Sequence, residues 1–280
     1  MRNECGESSG AIGSSLYGVN PGNAQATLIG DIGFEGVTGL AFLPDGRLVG
    51  SARGEEQGED SFAILIEIDP QTGAGSLIGV IGEEVDGECG RAPDLSVDPL
   101  TSTLFATGDV CIGGDFLQSV NPVTGEGTLI GTYSPFSGRG NGLAISNNNV
   151  FCVTVAVNNF ATLIAVDPNS GAPTLHATLT LDQRIYVNAL AFHPFTQELF
   201  GSTINQTDTP NDKSSTLVKI NTETGQTTEI GVLPDCFDAI IFRELPRNIP
   251  TLSQWGLIAM AGILGIVGFI MVIRRRKVTA

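Results

Sequence analysis

The chain has 280 residues, and its 14 Lys and Arg against 30 Asp and Glu give a formal net charge of −16. That balance argues against a nucleic-acid partner, because phosphate binding depends on clustered basic side chains. With 36 Gly, 41 % apolar residues and only two His, the composition also argues against a helical bundle, a disordered chain and His-based catalysis.

One phrase recurs five times in chain order, and each copy is typical of a β-hairpin. An Asn or Asp is followed by Pro or Thr, then by a Gly, and then by an apolar run that ends in Leu-Ile-Gly or a close variant. Pro fixes φ, the Asn or Asp caps its own backbone, and Gly accepts a positive φ. The five Asn or Asp positions are Asn20, Asp69, Asn121, Asp167 and Asn221, separated by steps of 49, 52, 46 and 54 residues.

A second phrase alternates with the first and supplies two more short apolar strands in each repeat. Its copies begin at Gly39, Leu95, Gly142 and Ala189, and residues 238–242 begin a fifth copy with no visible partner strand. Four strands in about 50 residues predict an all-β fold, a β-propeller of about five four-stranded blades. A β-sandwich is the alternative, but it would not need regular self-similarity.

Closure of such a ring normally pairs its first and last strands, which removes a free sheet edge. We therefore expect the residues before Ser15 to supply the outer strand that the fifth blade lacks. A start upstream of Met1 would add blades to the ring.

Five cysteines favour an oxidising compartment. Cys89 and Cys111 lie at equal distances on either side of an Asp-Pro-Leu-Thr turn, so a cross-strand or loop-base disulfide is plausible. Cys5 and Cys236 are candidates for a bond between the first and last blades, whereas Cys152 lies in an apolar strand and is expected to be a buried thiol. Because disulfides persist outside the cytoplasm, these pairings predict an exported body.

Polar residues occupy one recurring position before the first strand of successive blades. They are Asp94, Asn141, Asn188 and Asp238, with Thr38 in the first blade. Such a ring either lines a central channel that holds an ion or caps strand ends. The acidic loops 55–60 and 83–88 offer oxygen ligands for Ca²⁺, but neither has the spacing of a known calcium loop. We therefore expect no cofactor and no catalytic residue, with Ca²⁺ as the alternative.

The C-terminal region has the pattern of a membrane span. Residues 255–273 carry no charge, and Arg274, Arg275, Arg276 and Lys277 follow them. A span needs about 20 apolar residues, whereas a buried core helix would suit a run of about 10–14, so we predict one transmembrane helix over 256–273. Basic residues favour the cytoplasmic side, which places the end of the chain inside and the body outside. The predicted domains are a body of residues 1–247 and a tail of residues 248–280.

Export needs a signal, and the first residues have no apolar core of the required length. We therefore expect a truncated or misassigned start.

The tail resembles the IPTL-CTERM sorting domain over residues 249–277. The motif reads Ile249, Pro250, Thr251, Leu252, Ser253, Gln254, Trp255 and Gly256, and the apolar stretch and basic stop follow in the expected order. The resemblance implies handling by an exosortase-type membrane protease, with Pro250, Thr251 and Trp255 in the recognition or cleavage region. The family commonly has Glu where this chain has Gln254. The blades resemble those of secreted bacterial propellers, which says little about ligands.

These patterns predict an exported, non-enzymatic propeller that is held in the bilayer by its tail and is processed for release to the cell surface or matrix. Its expected ligand is an unidentified protein or glycan. A propeller hydrolase or lyase with a metal ion in the channel is the alternative. A third hypothesis is a permanently anchored protein whose span is never cleaved.

Overall fold

The computed structural model describes residues 13–54, 62–82, 94–108, 115–133, 136, 142–147, 151–157, 160–182, 185–205 and 215–243. Those residues form eighteen β-strands and no helix, so the all-β prediction is confirmed.

The strands form one hairpin and four antiparallel sheets, each a meander of four strands in chain order. The N-terminal hairpin comprises β1 (Ser15–Val19) and β2 (Ala26–Asp31). The first sheet comprises β3 (Gly39–Phe42), β4 (Leu48–Arg53), β5 (Ala63–Ile68) and β6 (Gly75–Gly82). The second sheet comprises β7 (Leu95–Val97), β8 (Leu104–Gly108), β9 (Phe116–Val120) and β10 (Gly127–Thr132). The third sheet comprises β11 (Leu143–Ile145), β12 (Phe151–Val157), β13 (Phe160–Val166) and β14 (Pro173–Thr178), and the fourth comprises β15 (Ile185–Phe192), β16 (Leu199–Asn205), β17 (Ser215–Ile220) and β18 (Thr227–Val232).

The turn between the third and fourth strands of each sheet follows the predicted chemistry. In the first sheet, the Asp69 carboxylate accepts a hydrogen bond from the Gln71 N–H at 2.8 Å. The glycines that close the four turns all adopt a positive φ between 69° and 85°, and they are Gly73, Gly125, Gly171 and Gly225. In the N-terminal hairpin, Ala24 takes the corresponding position at φ 58°.

The sheets pack face to face, and the core lies between neighbours. Five buried apolar clusters within the described residues follow one another round the body. Three of them join successive sheets from the first to the fourth. The other two place the N-terminal hairpin between the fourth and the first sheet. The first strands β3, β7, β11 and β15 contact one another in order and therefore lie at the centre. This arrangement is propeller-like, as the repeats predict.

Residues 237–242, which we call the closing segment, lie between the fourth and the first sheet. Their apolar side chains alternate between two cores, as those of a strand buried on both faces do. Ile240 and Phe242 join the cluster with the fourth sheet, and Ala239 and Ile241 join the cluster with the first sheet.

The chain divides into two compact units, Met1–Arg243 and Glu244–Ala280. Residues 244–280 lie outside the described part of the structure. Four structural predictions fall on these residues and stay predictions. They are the domain boundary at 247/248, the sorting motif at 249–256, the helix over 256–273 and the basic stop 274–277. No helix among the described residues is long and apolar enough to cross a membrane.

Candidate functional site

Asp94, one of the predicted central residues, joins three sheets. It precedes β7 and is 0 % exposed. Its Oδ1 accepts a hydrogen bond from the Leu95 N–H at 2.8 Å. Its Oδ2 accepts from the Leu143 N–H in β11 at 2.8 Å and from the Leu190 N–H in β15 at 3.4 Å. One carboxyl group therefore holds the first strands of the second, third and fourth sheets together.

The ionisation of Asp94 is set by two opposing effects. Burial raises the pKa of this carboxyl well above its usual range, and the backbone donors of Leu143, Leu95 and Leu190 act to lower it. Because both oxygens already accept backbone hydrogen bonds, a cation would have to compete with the amides of three strands. The geometry favours the strand-capping interpretation of this position over the ion-binding one.

Asn188 and Asp238, two more of the predicted residues, contact each other. The Asn188 Nδ2 donates a hydrogen bond to Asp238 Oδ1 at 2.8 Å, which joins the fourth sheet to the closing segment. Burial raises the pKa of Asp238, the bond from Asn188 lowers it, and the charge of nearby Asp235 raises it further. Asn141 lies outside the described residues. Among those that are described, no group of three or more His, Cys, Asp or Glu side chains could hold a metal ion.

A ring of buried hydroxyls was not predicted from the sequence. It comprises Ser51, Thr107, Thr154 and Ser202, which occupy the same place in the second strand of each sheet and are at most 2 % exposed. Thr154 Oγ1 accepts from the Gly142 N–H at 3.1 Å and donates to the Val187 carbonyl at 3.0 Å. Ser202 Oγ donates to the Phe237 carbonyl at 2.6 Å. Thr154 therefore ties the third sheet to β15, and Ser202 ties the fourth sheet to the closing segment.

The hydroxyl contacts show which position the closing segment fills. The Phe237 carbonyl accepts from Ser202 in the same way that the Val187 carbonyl accepts from Thr154. Asp238, which follows Phe237, therefore corresponds to Asn188, which follows Val187. The sequence carried a signal for this ring: a Ser or Thr follows the apolar residues of the second phrase in every sheet.

A second set of contacts joins neighbours at the outer rim. The Gly of Leu-Ile-Gly in β2, β6 and β10 lies so close to the next turn that a Cβ would overlap a backbone carbonyl oxygen there, that of Thr72, Thr124 or Ser170 respectively. Between the third and fourth sheets the glycine lies in the turn instead of the strand, since a Cβ on Gly225 would overlap the carbonyl oxygen of Thr178 in β14. Gly231 of β18 then lies against Asn23 and Ala24 in the N-terminal hairpin. These contacts run round the body and return to their start.

The predicted disulfides fall largely outside the described residues. Cys236 is the one cysteine whose side chain the structure describes, and it is disulfide-bonded. Its proposed partner Cys5 and the proposed pair Cys89 and Cys111 lie in undescribed segments, so both pairings stay predictions. The backbone of Cys152 pairs with Ala165 between β12 and β13. The acidic loops 55–60 and 83–88 also lie outside the described residues.

Residues 249–277 match the IPTL-CTERM motif, which is the resemblance that the sequence predicts. A sorting motif of this kind indicates a membrane-anchored or secreted protein. No curated protein matches the chain.

Several solved structures are similar to the body. One is a protein of unknown function from Bacteroides thetaiotaomicron (15 % identity, TM-score 0.49). The match covers 78 % of this chain and 46 % of the chain of that protein. Another is a putative gluconolactonase (12 %, TM-score 0.49; 79 % and 71 % covered). A third is the calcium-binding protein regucalcin from Agrobacterium tumefaciens (14 %, TM-score 0.48; 82 % and 71 % covered). The chain spans less than half the length of the first. Neither function nor site residues are transferred from likenesses this distant.

Proposed function

We propose that the chain is an exported, non-enzymatic propeller that its tail delivers to the cell envelope, where the body binds a protein or glycan. The observation that carries this proposal is the IPTL-CTERM motif at 249–277. In our proposal, residues 256–273 cross the bilayer once, Arg274–Lys277 stay in the cytoplasm, and an exosortase-type protease processes the tail. Permanent anchoring without cleavage is the competing fate.

We infer that the body has five blades. The N-terminal hairpin supplies the two outer strands of the fifth blade, and the closing segment supplies its first strand. Support comes from the shared clusters on both sides of these elements and from the Ser202 bond to Phe237. The residues before Ser15 would then provide the second strand, and a Cys5–Cys236 disulfide would fasten it.

The non-enzymatic interpretation is supported by the use of the central polar groups. The Asp94 carboxylate accepts from backbone amides of three sheets, and Asp238 accepts from Asn188. Groups engaged in this way hold the fold together, whereas a catalytic acid or base must face a substrate.

The delivery step is tested by replacing the basic stop in the full chain. Arg274, Arg275 and Arg276 changed together to Glu keep the apolar stretch but remove the positive charge that orients it. Before the tail is processed, we expect the unmodified chain in the membrane fraction with its body open to external protease, and we expect the Glu variant to lose that exposure. The matched control changes the same three residues to Lys and should behave as the unmodified chain. An unmodified chain found only in the cytosol with reduced thiols would contradict the proposal.

A metal-dependent hydrolase or lyase is the second candidate. Since both Asp94 oxygens accept backbone hydrogen bonds, the half-buried carboxyl of Asp238 would have to bind the ion. Thermal unfolding of the full chain with Ca²⁺ and with a chelator distinguishes the two candidates. We expect the same midpoint in both conditions. A Ca²⁺-dependent rise that Asp238→Asn abolishes would favour the enzyme.

A further inference from the structure

The body has two unlike ends, and strand direction defines them. In an antiparallel meander, the turn between the first and second strands and the turn between the third and fourth strands lie at the same end of the sheet. We call this the turn end, and it carries the segments 43–47, 69–74, 98–103, 121–126, 167–172, 193–198 and 221–226. The opposite end, which we call the loop end, carries the ends of β4 and β12 and the starts of β5 and β13.

The ends of the separate sheets lie on common sides of the body. Asp94 accepts from the N–H groups of Leu95, Leu143 and Leu190, and β7, β11 and β15 each end two residues beyond these positions, so the three strand ends lie on the same side of the body. The turns of the third and fourth sheets are also bonded directly, since the Asn147 N–H donates to Gln197 Oε1 at 2.8 Å.

The chain leaves the body at the turn end. Near its start, the closing segment contacts β15, where Asp238 meets Asn188. It finishes at Phe242, whose ring lies 4.9 Å from the ring of His193 and 5.0 Å from that of Phe200. His193 belongs to a turn-end segment, and its Nδ1 accepts from the Thr196 N–H at 3.2 Å, which caps that turn. Arg243 is the last residue of the body.

Three large apolar side chains are exposed at this same end. Phe195 is 54 % exposed, Leu100 is 65 % exposed and Val123 is 74 % exposed. The Phe195 ring lies 5.9 Å from His193, which packs on Phe242, so the exposed phenyl borders the exit of the chain.

We propose that the turn end is a lipid-docking surface, in which Phe195, Leu100 and Val123 enter the interfacial region of the bilayer that the tail spans. This inference rests on the proposed membrane anchoring. Twelve residues lead from Arg243 to Trp255, and at about 3.5 Å per residue they keep the exit within about 40 Å of the apolar stretch. Such a short tether holds the turn end at high effective concentration near the lipid surface.

The chemistry of the turn end agrees with this orientation. Apolar side chains on turn tips suit the boundary between headgroups and acyl chains. The turn end also carries acidic side chains, those of Asp45, Asp69, Glu126, Asp167 and Glu223. Because anionic headgroups would repel them, we expect docking through apolar contact that needs no anionic lipid.

Depth-dependent quenching of tryptophan fluorescence tests the proposal, because Trp255 is the one Trp of the chain. The unmodified chain is reconstituted into vesicles of phosphatidylcholine with brominated acyl chains, where Trp255 reports anchoring of the tail. In a Trp255→Phe background, Phe195→Trp then reports the turn end. Phe160→Trp is the matched control, since Phe160 is 36 % exposed and begins β13 at the loop end.

We expect Phe195→Trp to be quenched about as strongly as Trp255 and Phe160→Trp to be unquenched. Quenching of Trp255 without quenching of Phe195→Trp, or equal quenching of both introduced residues, would overturn the docking surface and leave the anchoring intact. An unquenched Trp255 would overturn the anchoring itself and the docking surface with it.

Discussion

The outer rim and the centre of the ring are built in different ways. At the rim, one hairpin phrase recurs, and a backbone contact between a glycine and the neighbouring turn joins each unit to the next. At the centre, the recurring position holds Thr38, Asp94, Asn141, Asn188 or Asp238, and each bond that the structure describes there is particular to its sheet. Repetition at the rim therefore makes the ring, and individual polar groups at the centre fix how its sheets meet.

Asp94→Ala, at the centre, should lower the free energy of unfolding most. The change leaves the buried amides of Leu95, Leu143 and Leu190 without an acceptor, and each orphaned amide costs about 1–3 kcal/mol. We expect the free energy of unfolding to fall by about 4 kcal/mol in total. Thermal unfolding of the full chain in mild detergent, followed by circular dichroism, measures the loss. Asp69→Ala, which removes an exposed turn cap, is the comparison and should cost far less; equal losses would contradict a special role for Asp94.

The rim is tested by Gly79→Ala and Gly82→Ala, which add the same methyl group to one strand. A Cβ on Gly79 would overlap the Thr124 carbonyl oxygen, whereas a Cβ on Gly82 meets nothing within 4 Å. Overpacking against backbone costs about 3 kcal/mol, so we expect that loss for Gly79→Ala. Gly82→Ala should leave the free energy of unfolding nearly unchanged in the same assay. If Gly79→Ala leaves the free energy of unfolding unchanged, the rim contact does not stabilise the body.

The hydroxyl ring predicts a smaller effect. Thr154→Val keeps the shape of the side chain and removes the hydroxyl that bonds to Gly142 and Val187. We expect a loss of about 1.5 kcal/mol, because two buried backbone groups lose a partner. Thr128→Val, at an exposed position of β10, is the control. If both variants unfold at the same denaturant midpoint, the hydroxyl does not hold the sheets together.

The buried carboxyl of Asp94 should make the free energy of unfolding depend on pH. Burial raises the pKa of Asp94 in the folded state, so the folded chain binds this proton more tightly than the unfolded chain. That contribution is fully present below the unfolded pKa, near about 4, and is lost as pH rises through the folded pKa. The other acidic residues also titrate, so the useful quantity is the difference between wild type and Asp94→Asn. We expect the variant to lose less stability between low and neutral pH, and parallel curves would contradict this.

The rim was predictable from the sequence because its signal is local. The turn chemistry from Asp69 to Gly73 and the strands around it follow from residue type and spacing. Repetition of that unit then predicted the all-β, propeller-like body.

The centre was predictable only in part, because its bonds join residues that are far apart in the chain. The sequence grouped Asp94 with Asn188 and Asp238, but it offered no reason for the Asp94 carboxylate to accept from Leu143 and Leu190. The hydroxyls of Thr154 and Ser202 were overlooked because a single Ser or Thr in an apolar strand carries no signal of its own. The signal lies in their recurrence at the same place in the second phrase of every sheet.

Labelling of lysines in intact cells tests the central claim of an exported body most directly. The chain has three lysines, Lys213 and Lys219 in the body and Lys277 in the basic stop. With an amine reagent that cannot cross the cytoplasmic membrane, mass spectrometry should find the label on Lys213. Lys277 should be unlabelled, or absent if the tail has been cleaved. Label on Lys277 with none on Lys213, or no label until the cells are lysed, would contradict the account.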